Sequence, residues 1–79
     1  MPRFFFTVHD DLEALDDEGL EFAGVEAARV EAIKSARALV CESVSINGRI
    51  VLDHSIEVTD EQGVTVSTIR FGDVVNIIS

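Results

Sequence analysis

The sequence is poor in the residues on which several classes of protein depend. Its 79 residues include one cysteine, one proline and two histidines, with no tryptophan and no tyrosine. The single cysteine, Cys41, excludes an intrachain disulfide and any multi-cysteine zinc motif, and it suits a reducing compartment. His9 and His54 come without a third residue at metal-ligand spacing. We therefore expect no metal and no cofactor.

Positive charge and long apolar runs are also scarce. Six Lys and Arg stand against fifteen Asp and Glu, so the net charge is −9. Because nucleic-acid binding depends on a dense basic surface, we expect no nucleic-acid partner. Apolar runs such as Phe4–Phe6 are far shorter than the roughly 20 residues of a transmembrane helix, and the first residues lack a signal-peptide pattern. The expectation is a cytoplasmic protein without membrane association.

The remaining composition describes one small folded unit. The apolar fraction of 47% is ordinary for a globular domain. A chain of this size buries only roughly 60–65% of the surface that its unfolded form exposes, which leaves a modest stability. We predict a single α+β domain over residues 1–79.

The apolar pattern along the chain predicts one helix. The helix is predicted from Val25 to about Ile46, and at 100° per residue a continuous apolar arc on it includes Ala28, Ala32, Ala36 and Val40. Asn47-Gly48 provides a left-handed stop.

Strands are predicted on both sides of the helix. Pro2–Val8 alternates, and Leu20–Phe22 is a short extended piece that can pair beside it. Ser55–Thr59 and Val64–Phe71 are joined by the turn Asp60–Gly63. The apolar face changes phase within the last strand, and a bulge near Ser67-Thr68 would account for the change.

These elements assemble into a small antiparallel sheet of three to four strands with one amphipathic helix packed on one face. The chain order is β-(β)-α-β-β. Since one helix covers only one face, the other face or an open strand edge is a candidate for self-association, and we expect a homodimer. The first strand carries phenylalanine on both faces, so either both faces are covered or Phe5 lies at an interface. The apolar tail from Asp73 to Ser79 is expected to dock on the domain or on another chain.

An acidic stretch is the densest unusual feature. The region from 10 to 26 holds eight of the fifteen acids and no basic residue. Its register does not fit a calcium-binding loop. It is either a solvated face or a docking surface for a basic partner. The residues of that candidate interaction surface are Asp10, Asp11, Glu13, Asp16, Asp17, Glu18 and Glu21.

Arg29 interrupts the apolar arc of the helix. A bare charge buried there would cost several kcal/mol, so the side chain must reach solvent or meet a carboxylate. Two interpretations stay open, an ion pair with a local acid or an anion-binding arginine.

No catalytic site is recognisable. Asp53-His54-Ser55 places three residue types of a hydrolase triad side by side, but consecutive residues point in different directions. The acids of the 10–26 stretch lack a pocket that would raise one pKa for acid–base work. We expect that the protein is not an enzyme.

Several segments together resemble a known family. They are the opening Pro2-Arg3-Phe4-Phe5-Phe6, the sequence Asp17-Glu18-Gly19, the helix start Ala27-Ala28-Arg29, the hairpin Ile56–Gly63 and the closing Phe71-Gly72-Asp73. The pattern covers nearly the whole chain and is similar to a family of short bacterial proteins classified as a domain of unknown function. The resemblance implies a small stand-alone protein and no activity, cofactor or catalytic residue.

The sequence thus predicts a non-enzymatic protein-interaction or self-association module with an unidentified protein partner. The alternative is a small-ligand-binding domain or minor enzyme with a site around Arg29, between helix and sheet.

Overall fold

The computed structural model describes residues 1–10 and 13–75 of the chain. Its elements in chain order are β1 (Arg3–His9), β2 (Glu13–Ala14), β3 (Leu20–Glu21), α1 (Val25–Asn47), β4 (Ser55–Thr59), β5 (Thr65–Arg70) and α2 (Phe71–Val74). The strands form one antiparallel sheet, and α1 packs on one face of it. The predicted α+β fold and its chain order are confirmed.

The sheet is built outward from β1. One side of β1 pairs with β4, from Phe5↔Thr59 to His9↔Ser55, and β5 pairs with the far side of β4. The other side of β1 pairs with β3 at one end and with β2 at the other. The pairing of Leu20–Glu21 beside β1 was predicted, whereas β2 was not, because two residues carry no alternation to detect. The sheet therefore has two unlike edges, the outer side of β1 and the outer side of β5.

The core lies between α1 and one face of the sheet. On α1 the buried stripe is Ala28, Ala32, Ala36 and Val40. These small side chains let the helix approach the sheet closely, where Phe4, Ile56, Val58, Ile69 and Phe71 complete the core. Ile56 and Val58 are 1% and 0% exposed. Burial of one such side chain stabilises the fold by about 1.5–3 kcal/mol.

The opposite face of the sheet is mostly polar. Register places Thr7 beside Glu57 and Thr68, and His9 beside Ser55 and Arg70. Phe5 shares this face, and its ring lies close against the backbone of Gly19. The loop that carries Gly19 therefore covers part of the Phe5 ring, which is half-buried.

α1 ends where the sequence predicted. Gly48 adopts φ 69°, and its N–H donates to the carbonyl of Val44 over 2.9 Å. The 23 residues of α1 span about 34 Å, whereas seven-residue β1 spans about 23 Å. The C-terminal end of α1 therefore extends past the sheet, and the side chain of Ile46 is 72% exposed.

The β4–β5 hairpin closes through an aspartate-centred turn. Asp60 Oδ1 accepts hydrogen bonds from the N–H groups of Gln62 and Val64, each over 2.9 Å. Gly63 supplies the positive φ of 81°. The register shifts between Val58↔Ser67 and Thr59↔Thr65. The extra residue is therefore Val66, so a bulge exists but lies just before the predicted position at Ser67-Thr68.

The chain leaves the sheet earlier than predicted. β5 ends at Arg70, and Phe71–Val74 form the short helix α2 in place of the last strand residue. Val74 and Val75 are half-buried against the core. This part of the apolar tail docks on the domain, and Ile77 and Ile78 lie outside the described residues.

Candidate functional site

The acidic stretch does not form one continuous surface. Asp16 faces the sheet, where its Oδ2 accepts a hydrogen bond from the Phe6 N–H over 3.1 Å. Glu21 lies beside Arg3, with 3.7 Å between Oε1 and Nη2. The side chains of Asp10, Asp17 and Glu18 are exposed. Asp11 and the side chain of Glu13 lie outside the described residues. Asp16 and Glu21 thus take part in internal contacts of the fold.

Asp16 occupies the gap between β2 and β3. Neither strand reaches the middle of β1, so the N–H of Phe6 would have no strand partner there. The carboxylate replaces that partner, and its other oxygen accepts from the N–H groups of Glu18 and Gly19 over 3.2 and 3.0 Å. An aspartate at the start of a turn commonly accepts a hydrogen bond from the backbone N–H two residues further on, as Asp16 does from Glu18.

The contacts of Asp16 change its acidity. Burial would raise the pKa of this carboxyl, but the hydrogen bonds from Gly19, Phe6 and Glu18, together with the charge of Arg3, outweigh it. The pKa of Asp16 is therefore held below its ordinary value. The charged form is the one that the fold stabilises.

Arg3 binds the loop that carries Asp16 through the loop's backbone carbonyl groups. Its Nη1 donates to the carbonyl of Glu18 over 2.7 Å and to that of Gly19 over 3.3 Å. Gly19 adopts φ 68°, and a Cβ there would lie 2.6 Å from the carbonyl oxygen of Phe4. Only glycine fits this approach without rearrangement. The Asp16–Gly19 segment is thus a structural cover of the β1 edge.

The outer edge of β5 differs from that of β1. The Phe71 N–H donates to the His54 carbonyl over 2.8 Å, so this pair belongs to the bonded set of the antiparallel ladder. Because bonding alternates along a strand, the N–H and C=O groups of Thr68 and Arg70 point away from β4. Among residues 1–10 and 13–75, no strand pairs with this side of β5. We call it the open edge.

A cleft of about 170 Å³ runs beside the open edge, between α1 and β5. We call it the arginine cleft. It is lined by Arg29, Ile33, Arg37, Thr68, Ile69, Asp73 and Val74.

Arg29 reaches out of the apolar arc and into this cleft. Its side chain is 48% exposed, and its Nη1 lies 3.6 Å from Oε1 of Glu26. Arg37 also lines the cleft, and its Nε donates to the carbonyl of Val74 over 3.2 Å. The sequence analysis did not single out Arg37, although its position eight residues after Arg29 places it on the same side of the helix.

A second cleft, of about 190 Å³, lies under the overhanging end of α1. Leu39, Ile46, Ile50 and Phe71 give it an apolar floor, and Glu42, Arg49 and His54 are among its polar residues. His54 also meets the Phe71 ring edge-on, with 6.0 Å between ring centres. Asp53 is exposed, and it does not line this cleft beside His54.

A small polar cluster lies on the uncovered face of the sheet. His9 Nε2 lies 2.9 Å from Oε1 of Glu57, and the Thr65 hydroxyl donates to the other carboxylate oxygen. The hydrogen bond from Thr65 and then that from His9 hold the pKa of Glu57 below its ordinary value. In the described part of the chain, no three His, Cys, Asp or Glu side chains are placed to hold a metal ion. Within the same residues, neither α1 nor α2 has the length and apolarity that a membrane crossing needs.

Comparison with known proteins identifies a family and nothing closer. No curated protein and no solved structure matches the chain. The family pattern described as Domain of unknown function (DUF6894) matches residues 3–72, which run from the start of β1 into α2. The match includes the Asp16–Gly19 cover, the arginine cleft residues of α1 and the open edge of β5. The chain belongs to the DUF6894 family, a domain of unknown function.

Proposed function

We propose that this chain is a non-enzymatic protein-interaction module that takes an extended segment of another polypeptide as an added strand beside β5. The proposal is carried by the open edge. Thr68 and Arg70 direct backbone N–H and C=O groups outward, and no described strand covers them. An exposed strand edge is a ready template for pairing with another chain.

The contrast with β1 supports the proposal. On that side of the sheet, two short strands and a carboxylate cover the outward backbone groups. Proteins protect edges that must not pair, and within residues 1–10 and 13–75 the β1 edge is protected in this way and the β5 edge is not. We place the module in the cytoplasm and assign it no nucleic-acid partner, on the single cysteine and the net charge of −9.

The test is a selection of extended peptides from a displayed random library against the whole chain. The discriminating variant is Thr68→Pro, which removes one outward N–H, and the matched control is Thr68→Val, which keeps it. We expect selected peptides to bind the natural chain and Thr68→Val but not Thr68→Pro. Binding should also slow hydrogen exchange at the amides of Thr68 and Arg70. Peptides that bind Thr68→Pro as well as the natural chain would refute the proposal.

Self-association through the same edge is a second form of the proposal. Two copies joined along β5 would form one continuous sheet around a twofold axis. Sedimentation of the natural chain and of Thr68→Pro distinguishes the forms. If the natural chain is a dimer and Thr68→Pro is a monomer, the partner is a second copy of the chain. If both are monomers, the partner is a different chain.

The acidic stretch is the competing interaction surface. Asp17 and Glu18 are exposed, and within the described residues neither side chain has a hydrogen bond or ion pair, so a basic partner has access to them. Reversing both charges in Asp17→Lys/Glu18→Lys leaves the Asp16 contacts in place. If a partner binds through this surface, the double variant loses it while Thr68→Pro retains it.

A small-ligand-binding domain is the second candidate function, and the arginine cleft is the observation that favours it. Its 170 Å³ would hold a few heavy atoms of an anion between Arg29 and Arg37. A panel of small carboxylates and phosphates should then raise the melting temperature of the natural chain, and less so that of Arg29→Met. A shift that survives in Thr68→Pro would separate this function from strand addition.

A further inference from the structure

The side chains around the open edge also specify what kind of segment fits there. Resting on the proposed function, we infer that the added strand is an acidic one, with carboxylates at every fourth position and an apolar residue between them on the side that faces α1.

The spacing of the helix residues leads to this pattern. Arg29, Ile33 and Arg37 all line the arginine cleft, and they follow one another at intervals of four. Along a helix, eight residues cover about 12 Å. Along a strand, residues on one face repeat about every 6.7 Å, so the first and fifth residues lie about 13 Å apart. A strand lying along the stripe thus brings its first and fifth side chains to the two arginines and its third to Ile33.

The apolar position has a place to enter. Ile33, Ile69 and Val74 are the apolar members of the cleft lining, and Ile69 belongs to the buried core beneath it. A strand added beside β5 would lie about 4.8 Å from it, which brings every second side chain over this opening. In this cleft of about 170 Å³ an apolar side chain of the added strand would meet Ile33, Ile69 and Val74.

The charges of the cleft select carboxylates. Two guanidinium groups line it against one carboxylate, that of Asp73. Arg37 is held at Nε by the Val74 carbonyl, and its two terminal nitrogens make no contact recorded among the described residues. Glu26 approaches Arg29 only to 3.6 Å and is 80% exposed, so an incoming carboxylate can take its place. Two of the six basic residues therefore meet at this cleft in a chain whose net charge is −9.

The same charges disfavour a second copy as the occupant. Pairing β5 with β5 around a twofold axis would add no acidic strand. It would instead bring together two edges that are flanked alike by Arg29, Arg37 and Arg70. Like charges facing each other across an interface oppose association. The occupant is therefore a different chain, with an acidic and apolar alternation.

The experiment uses two labelled, end-capped peptides and the whole chain. One is Thr-Glu-Thr-Val-Thr-Glu-Thr, and the other has Lys in place of both Glu. Binding is followed by fluorescence anisotropy at low and at physiological salt. We expect the glutamate peptide to bind at least about ten-fold more tightly than the lysine peptide, and this ratio should fall as salt rises.

Variants assign the effect to the cleft. Arg29→Gln and Arg37→Gln should each weaken the glutamate peptide by about five-fold. Lys34→Gln is the matched control, since it removes the same charge from an exposed position of α1 outside the cleft lining. We expect it to change the affinity by less than about two-fold. Melting temperatures of all the variants confirm that each is folded.

The outcomes separate this inference from the proposed function. If both peptides bind equally and both are lost in Thr68→Pro, strand addition stands and the acidic specificity is wrong. If the arginine variants weaken binding no more than Lys34→Gln does, the cleft assignment is wrong. If neither this pair nor any library peptide depends on Thr68, the proposed function itself fails.

Discussion

The two edges of this sheet differ in what pairs with their outward backbone groups. This difference separates structural residues at the β1 edge from candidate binding residues at the β5 edge. At the β1 edge, Asp16 accepts the Phe6 N–H, and Arg3 holds the loop that carries Asp16. At the β5 edge, Thr68 and Arg70 direct their backbone groups outward beside the arginine cleft. The densest cluster of acids in the sequence thus serves folding through Asp16, while the outward backbone groups that no described strand covers lie on β5, a strand with little net charge.

The β1 edge should be the more sensitive of the two to substitution, and Gly19 is its most sensitive point. Gly19→Ala places a methyl group 2.6 Å from the Phe4 carbonyl oxygen and 2.9 Å from the Phe5 ring. We expect a loss of roughly 3 kcal/mol in the free energy of unfolding, from the left-handed backbone and the overpacking together. Urea unfolding measures it.

Gly63→Ala is the matched control for that substitution. Gly63 has a similar φ of 81°, but nothing lies within 4 Å of an added Cβ. Only the backbone preference is then lost, at about 1 kcal/mol. If Gly19→Ala and Gly63→Ala lost the same free energy of unfolding, the loop at Gly19 would not be packed closely against β1.

The Asp16 carboxylate is the next largest contribution. Asp16→Ala removes the acceptor for three backbone N–H groups, and we expect a loss of about 2 kcal/mol in the free energy of unfolding. Hydrogen exchange at the Phe6 amide should quicken in the same variant. Asp17→Ala, at the exposed neighbour, should stay within about 0.5 kcal/mol of the natural chain. If Asp16→Ala and Asp17→Ala lost comparable free energy of unfolding, the contribution of Asp16 would come from its charge and not from its hydrogen bonds.

The acidity of Asp16 predicts how this contribution depends on pH. Its pKa in the folded protein is below the ordinary value, and the value in the unfolded chain is about 4. The stabilisation is therefore fully present above the unfolded pKa and is lost as the pH falls through the folded pKa. Between pH 6 and about pH 3, the natural chain should lose more stability than Asp16→Asn, which cannot titrate there.

Glu57 does not disturb that comparison. Its pKa is lowered as well, through Thr65 and His9, but it is present in both proteins and cancels from the difference. If the two unfolding curves run parallel over this pH range, Asp16 is not stabilised in its charged form.

The sequence was a good guide to the elements and a poor one to the site. Apolar periodicity located α1, since a stripe of alanines and Val40 must face a sheet wherever the helix lies. The Asp60–Gly63 turn was readable because its chemistry is local. The partner of Asp16 was not readable, because Phe6 is ten residues away and the bond depends on the gap that β2 and β3 leave.

Arg29 was singled out from the sequence, but its surroundings could not be predicted. Its wheel position indicated that it must reach solvent or meet an acid, and the structure places Glu26 one turn before it. β5 lies beside Arg29, and Arg37 lines the same cleft. This arrangement depends on the strand order, which hydrophobic periodicity does not determine. Sequence spacing alone already contained the Arg29, Ile33 and Arg37 stripe, but nothing in it indicated an adjacent strand edge.

At the open edge itself, the expected effect on stability is smaller than at Gly19 or Asp16. Thr68→Pro removes an N–H that points away from β4, so the ladder loses no bond, and the preceding Ser67 is already in the extended backbone that proline favours. We expect a change of no more than about 1 kcal/mol, measured by urea unfolding. Ser67→Pro is the contrasting control, because alternation turns the Ser67 N–H inward toward Val58 and its loss breaks the ladder. If Thr68→Pro unfolds the chain as readily as Ser67→Pro does, the Thr68 N–H is already engaged within the fold. The β5 edge would then be closed like that of β1, and strand addition would have no place to begin.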